Sequence, residues 1–221
     1  MSGTGYDLST NTYSQDGRIF QIEYANKNIT NAETVMGVLT SDGVILATEK
    51  IRHNPLLVDD GNRRSFNVTR NIGLMICGKI PDGRDLLSRA REEATNFLDN
   101  FGIEIPVKTL VERLANYVHA HTIYGAYRPY GCAVMISGYD VKKDKFELYM
   151  IENSGIYRGY YACANGKGRE IAKTHMERIY KENICSKDAL TKGKYTIYNN
   201  LTKYIGLIKS CQSYCQSSWR V

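Results

Sequence analysis

The rhythm of apolar and polar positions changes several times along the chain, and each change marks an element. Thr34–Leu39 and Val44–Glu49 are short β-branched, apolar runs of strand length. Between them, Thr40-Ser41-Asp42-Gly43 carries an Asp-Gly pair that tolerates the positive φ of a tight hairpin. Ile72–Cys77 predicts a third strand, with a short one near Phe66–Thr69 beside it. The period then lengthens. Leu86, Leu87, Ala90, Ala94, Phe97 and Leu98 fall at helical spacing, which predicts a helix over Pro81–Asn100 with Gly102 as its stop. A second helix opens at Pro106, where a missing amide proton costs nothing, and turns Val107, Leu110, Val111, Leu114, Tyr117 and Val118 to one face. Strand patterns return at Gly131–Gly138, Phe146–Ile151 and Ile156–Ala162, the last two joined through Asn153-Ser154-Gly155. Helices are predicted over Lys167–Glu182 and Lys187–Tyr204, and a last short strand near Tyr214–Trp219.

Hairpin-linked strands followed by helix pairs argue for antiparallel sheets covered by helices rather than an alternating parallel sheet. The strands are apolar almost throughout, so both faces of each sheet are expected to be buried, one on the other sheet and one on helices. The fold class is therefore α+β, a four-layer αββα sandwich. The beginning of the chain differs. Residues 1–17 are rich in Ser, Thr, Gly, Asn and Tyr and read as a flexible tail. Residues 18–33 hold a short amphipathic helix, over about Arg18–Asn31, with Ile19, Ile22 and Tyr24 as contacts. Residues 34–221 read as a single domain.

Composition narrows the class. The chain has 221 residues, 43% hydrophobic and 24% charged, which is ordinary for a globular protein large enough to need no covalent staple. Its six cysteines form no CxxC pair, and Cys77, Cys132 and Cys163 sit inside apolar runs, so they read as reduced core residues of an intracellular protein. The N-terminus has neither the basic start nor the apolar segment of a signal peptide, so the sequons at Asn28, Asn67 and Asn200 read as chance matches. No apolar run approaches the roughly 18 residues that span a membrane. The net charge of +6 admits an acidic partner, but Lys and Arg are dispersed and no RNA-binding signature occurs.

Several longer stretches are specific. Gly5-Tyr6-Asp7 is followed by Ser14-Gln15-Asp16-Gly17-Arg18-Ile19-Phe20-Gln21-Ile22-Glu23-Tyr24-Ala25. Further on come Asp42-Gly43-Val44, Arg89–Phe97, Arg128-Pro129-Tyr130-Gly131-Cys132, Leu148–Glu152 and Ala164-Asn165-Gly166-Lys167. Together these resemble the proteasome alpha subunits over nearly the whole chain, the first block matching their N-terminal signature S-P-D-G-R-hydrophobic-x-Q-x-E-Y-A. The resemblance implies the sandwich of the N-terminal-nucleophile hydrolases. It implies a heteroheptameric ring with other alpha subunits, stacked on beta rings and met by a regulatory particle or other activators. It further implies a role in gating substrate entrance during ubiquitin-dependent degradation in cytoplasm and nucleus, without cofactor, metal, membrane or nucleic acid.

The same resemblance implies no catalytic residue. Beta-type relatives attack with an N-terminal threonine whose own free amine is the base. The matching position here is Glu33 or Thr34. Glu33 has no hydroxyl, the nitrogen of Thr34 lies in a peptide bond, and Ala32-Glu33-Thr34 lacks the Gly-Thr junction needed for self-processing. The Gly-Thr pair at Gly3-Thr4 lies in the tail and reads as coincidence. The beta-type catalytic lysine matches Arg64, whose charge is not given up at working pH.

Tyr6, Asp7 and Tyr24 match the family's open-gate cluster, with Gln15 where the family has proline. Losing a residue that presets φ is expected to loosen that turn. The alternative is that these are ordinary turn and helix contacts. Arg63 and Arg64 match an inter-subunit pocket that takes an activator's C-terminal carboxylate, which arginine holds bidentately. A solvated or lumen-facing charge pair is the equal alternative. The chain ends at Trp219-Arg220-Val221 without the acidic tail of some relatives, so no such role is expected.

Other constellations are weaker. His119 and His121 point apart on a helix, and Cys211 with Cys215 lack further ligands, so no metal site is expected. Asn165-Gly166-Lys167-Gly168 lacks phosphate-loop spacing and reads as a strand-to-helix turn. The competing functions are a self-standing amidohydrolase of the same fold, marked by a mature chain starting at Thr34, and an RNA-binding module, marked by salt-sensitive retention of RNA.

Overall fold

The computed structural model describes residues 5–49, 54, 56, 62–179 and 205–210, the last six by their backbone. Helix α1 (Phe20–Thr30) leads into the hairpin β1 (Val35–Thr40) and β2 (Gly43–Glu49). The hairpin forms where the Asp42-Gly43 pair predicts it, but neither residue takes the positive φ that the pair tolerates; Thr40 Oγ1 donates to Gly43 O at 2.8 Å. Strands β3 (Ser65–Asn67) and β4 (Ile72–Gly78) follow, then helices α2 (Ile80–Phe101) and α3 (Val107–Ile123). Gly102 stops α2, its amide donating to Leu98 O at 2.7 Å. Pro106 caps α3 rather than occupying its first turn. Strands β5 (Cys132–Asp140), β6 (Lys145–Ile151), β7 (Tyr157–Gly159) and β8 (Ala162–Asn165), helix α4 (Arg169–Ile179) and strand β9 (Ile205–Ser210) complete the order.

The strands form two antiparallel sheets, β8-β1-β2-β9 and β3-β4-β5-β6-β7. Their alternation explains the unbroken apolar runs, because successive side chains point to opposite faces. In β4, Ile72, Leu74 and Ile76 pack with Leu86 and Ala90 of α2 and Leu110 and Leu114 of α3. Met75 and Cys77, one residue out of step, join Val35, Val44, Leu46, Met135 and Leu148 between the sheets. On the far face of the four-stranded sheet, Met36 and Ala47 meet Ala172 and Met176 of α4. Ile29 of α1, 1% exposed, belongs to the inter-sheet cluster, whereas Tyr24 is 43% exposed, so α1 is seated by a residue outside its predicted contact set.

The strand predicted over Ile156–Ala162 is two strands in different sheets. β7 pairs with β6, and β8 pairs with β1. The switch lies between adjacent tyrosines. Tyr160 N–H donates to Leu148 O in the five-stranded sheet at 2.9 Å, while Tyr161 O accepts from Leu39 N–H in the four-stranded sheet at 2.7 Å. Strand β9 is absent from the elements that the sequence pattern predicts, and it pairs with β2 along its length. The helix predicted over Lys187–Tyr204, the strand near Tyr214–Trp219 and Cys185, Cys211 and Cys215 lie outside the described residues.

A buried carboxylate ties the start of α2 to the start of β5. Asp82 is 4% exposed and accepts two bonds from the Arg128 guanidinium, both at 2.7 Å, and one from the Gly131 amide at 2.9 Å. Burial works to raise this carboxyl, but the Arg128 and Gly131 donors hold it below its ordinary value. Asp82→Ala orphans the buried Gly131 amide and is expected to cost about 2 kcal/mol. Because the folded value is depressed, the contribution is complete above the unfolded value near pH ~4 and is lost as pH falls through the folded one. Urea titrations of wild type and variant should therefore differ clearly at neutral pH and converge in strong acid.

Candidate functional site

The start of β1 gathers the residues that would matter for hydrolysis. Thr34 is 1% exposed. Its amide donates to Glu49 Oε2 at 3.2 Å, its carbonyl accepts from the Glu49 amide at 2.8 Å, and its Oγ1 accepts from the Gly168 amide at 3.0 Å. The nitrogen is thus an engaged amide donor, with no lone pair to serve as base. The neighbouring Glu33 forms an ion pair with Arg64, which is 5% exposed. Arg64 also donates to Gly78 O at 2.9 Å, and its buried Nε has no hydrogen-bond partner. Cys77, 3.9 Å by its sulfur from Glu33 O, is the one thiol beside this group among the described residues. Burial, chiefly, pushes that thiol up to about 12, far from a thiolate at neutral pH.

The Asn165-Gly166-Lys167-Gly168 turn closes over this corner. Gly166 has a left-handed φ of +99°, and a Cβ there would lie 2.6 Å from Glu33 O. Lys167 N–H donates to Ala32 O at 2.9 Å and Gly168 N–H to Thr34 Oγ1. Two amides that a phosphate would need are therefore committed to the chain itself, in keeping with a strand-to-helix turn. The arrangement holds charge and fixes the backbone, and it commits the Thr34 nitrogen as a donor to Glu49.

The N-terminal residues lie apart from this corner. Tyr6 and Asp7 are half-buried, Gln15 is exposed, and Tyr24 stacks on Phe20 with ring centres 6.2 Å apart. Among the described residues, no hydrogen bond or ring contact joins Tyr6, Asp7, Gln15 and Tyr24 to one another within the chain. The turn ahead of α1 is closed by Ser14 N–H to Arg18 O, Gly17 N–H to Ser14 O and Arg18 N–H to Ser14 Oγ, at 2.9–3.0 Å. Those bonds leave Gln15 outside, and the residue that fixes the turn is Gly17, at φ +72°. Arg63 is exposed, with Nε donating to Ser65 O at 2.9 Å and its guanidinium 5.5 Å from the Phe66 ring centre. Arg63 and Arg64 therefore differ: one faces solvent, and the other is buried against Glu33.

Two features escape sequence reasoning. One is the Glu33–Arg64 pair. The other is a clasp on the N-terminal segment. Thr10 is buried, and the Asn11 side-chain amide, oriented by its partners, donates to Ile123 O and accepts from Gly125 N–H at 3.3 Å. Gln21 Nε2 donates to Asp7 O. A Cβ on Gly125 would come within 2.9 Å of the Asn11 amide. Polar residues clustered ahead of a helix are the available signal; the turn that receives them is more than a hundred residues away.

Comparison with known proteins adds an independent line. The family model described as proteasome subunit matches residues 29–203, and the model of the N-terminal signature of A-type proteasome subunits matches residues 6–27. The alpha type-3 proteasome subunit of Spinacia oleracea is 42% identical over 196 residues, covering 89% of this chain and 78% of that protein. The alpha type-3 subunit of Acanthamoeba castellanii is 44% identical over 197 residues, covering 89% and 77%. The probable alpha type-7 proteasome subunit of Saccharomyces cerevisiae is 42% identical over 199 residues, covering 89% and 68%.

Proposed function

We propose that this chain, which belongs to the proteasome subunit family as an alpha-type subunit of the core particle, builds the alpha ring and helps gate it without being a peptidase itself. The observation that carries the reading is the state of the Thr34 nitrogen, an amide bonded to the Glu49 carboxylate. Nucleophilic attack of the beta type needs a free amine there.

The two stacked sheets, with α2 and α3 on one outer face and α4 on the other, support an αββα sandwich of the N-terminal-nucleophile hydrolase type. Residues 34–221 then form one domain, residues 18–33 a helix for ring contacts, and residues 1–17 the gate tail. Partners in this reading are the other alpha subunits of a heteroheptameric ring, the beta ring, and a regulatory particle or other activator, in cytoplasm and nucleus. Tyr6, Asp7, Gln15 and Tyr24 meet their counterparts across a subunit boundary. Their separation within one chain, and the exposure of Tyr24 and Gln15, suit that arrangement. Arg63 and Arg64 lie at the inter-subunit pocket that, in this reading, corresponds to the seat for an activator's terminal carboxylate.

Gentle purification followed by particle mass and subunit inventory tests the reading. The chain is expected in a large particle beside other alpha and beta subunits, and without peptidase activity when isolated. Recovery as a free, peptide-hydrolysing monomer would overturn it.

A further inference from the structure

We propose that Glu33 is a built-in carboxylate ligand of Arg64, closing this subunit's basic pocket to a carboxylate from outside. The inference rests on the reading of Arg63 and Arg64 as a carboxylate seat and changes what that seat can do. A guanidinium holds a carboxylate best through two neighbouring N–H donors. In Arg64 one terminal nitrogen serves Gly78 O and the other serves Glu33 Oε2. Two of its five N–H donors are thus committed, and the buried Nε has no partner. An incoming carboxylate finds the remaining N–H groups enclosed, with Arg64 only 5% exposed, and beside them a like charge.

Glu33 cannot easily swing away. Its backbone is pinned on both sides, by Lys167 N–H on Ala32 O and by the Thr34 amide on Glu49. Its own carbonyl lies against Gly166, at a distance that leaves no room for a Cβ. Its side chain is 15% exposed and that of Arg64 is 5%, so water screens the pair weakly. A ligand tethered at the site competes at a high effective concentration, which an external peptide must exceed. Arg63, exposed and stacked over Phe66, keeps its outward charge but has no buried seat to offer. This subunit is thus expected to contribute little to any carboxylate-dependent docking of an activator.

The test uses the full chain in whatever assembly it purifies, with a photoreactive peptide carrying a free C-terminal carboxylate and the same peptide amidated. The readout is the carboxylate-to-amide labelling ratio on fragments of this chain containing Arg64. Wild type should give a ratio near one. Glu33→Gln, similar in size and still able to bond Arg64, should raise it about fivefold by removing the like charge. Glu33→Asp, which keeps the charge, should not, and Glu33→Gln with Arg64→Gln should return it to one. A ratio unchanged by Glu33→Gln overturns the proposal, as does a wild-type preference for the carboxylate that Arg64→Gln abolishes. A gain that survives Arg64→Gln overturns it together with the pocket reading of Arg64. Failure of the ring reading is distinguishable, because it shows as a chain that purifies alone, and the labelling ratio is measured either way.

Discussion

Deleting residues 2–12 is expected to raise basal peptide hydrolysis by the assembled particle about fivefold, because one net kilocalorie removed from a closed state shifts its population by roughly that factor. The deletion removes Asp7, whose carbonyl accepts from Gln21, Thr10, which is buried, and Asn11, which bridges Ile123 and Gly125. These contacts hold the segment that precedes α1 against the end of α3. Few strong bonds secure it, which suits an element that must change state at small cost. The check is fluorogenic peptide hydrolysis by wild-type and deleted particles of matched subunit inventory. An unchanged rate would mean that this tail contributes nothing to closing the entrance.

Gly83→Ala is expected to lower stability by about 3 kcal/mol, at the upper end for overpacked cores. Gly83 is buried in α2, directly over β4. A Cβ there would stand 2.3 Å from Ile76 Cγ2 and 2.7 Å from both Cδ1 and Cγ1. Ile76 is fully enclosed and cannot rotate out of the way. The thermal midpoint should fall by roughly 6–12 °C, at 2–4 °C per kcal/mol for a domain of this size. Ile76→Ala is itself destabilising, yet combined with Gly83→Ala it should cost less than the sum of the two changes. Additive costs would mean that α2 and β4 accommodate the methyl by shifting apart.

Much of this architecture is legible in the residues themselves. Asp42-Gly43 announces the first hairpin, and the spacing from Leu86 to Leu98 predicts α2 to within a residue at either end. The block from Ser14 to Ala25 falls within the stretch matched by the N-terminal signature. The misreadings have physical causes. Nothing in Ile156–Ala162 shows that Tyr160 bonds one sheet and Tyr161 the other, since both residues suit an extended backbone. Ile205–Ser210 is a short apolar run without strong turn signals, and periodicity does not identify such runs. The Glu33–Arg64 pair joins residues 31 apart, and the Asn11 clasp reaches a turn at Ile123–Gly125. Neither has a sequence period, because tertiary packing alone brings those partners together. The sequence pattern does not show which of Arg63 and Arg64 is buried, whereas the structure separates them into a surface cation and a paired one.

In the proposed reading, the engaged Thr34 amide is what keeps this chain from acting as a peptidase. Intact-mass analysis of the chain from native particles treated with a threonine-reactive inhibitor addresses it directly. The expected spectrum shows this chain carrying residues ahead of Thr34 and no adduct, while catalytic subunits of the same particle are labelled. A chain trimmed to begin at Thr34, with inhibitor bound to that residue, would contradict the account.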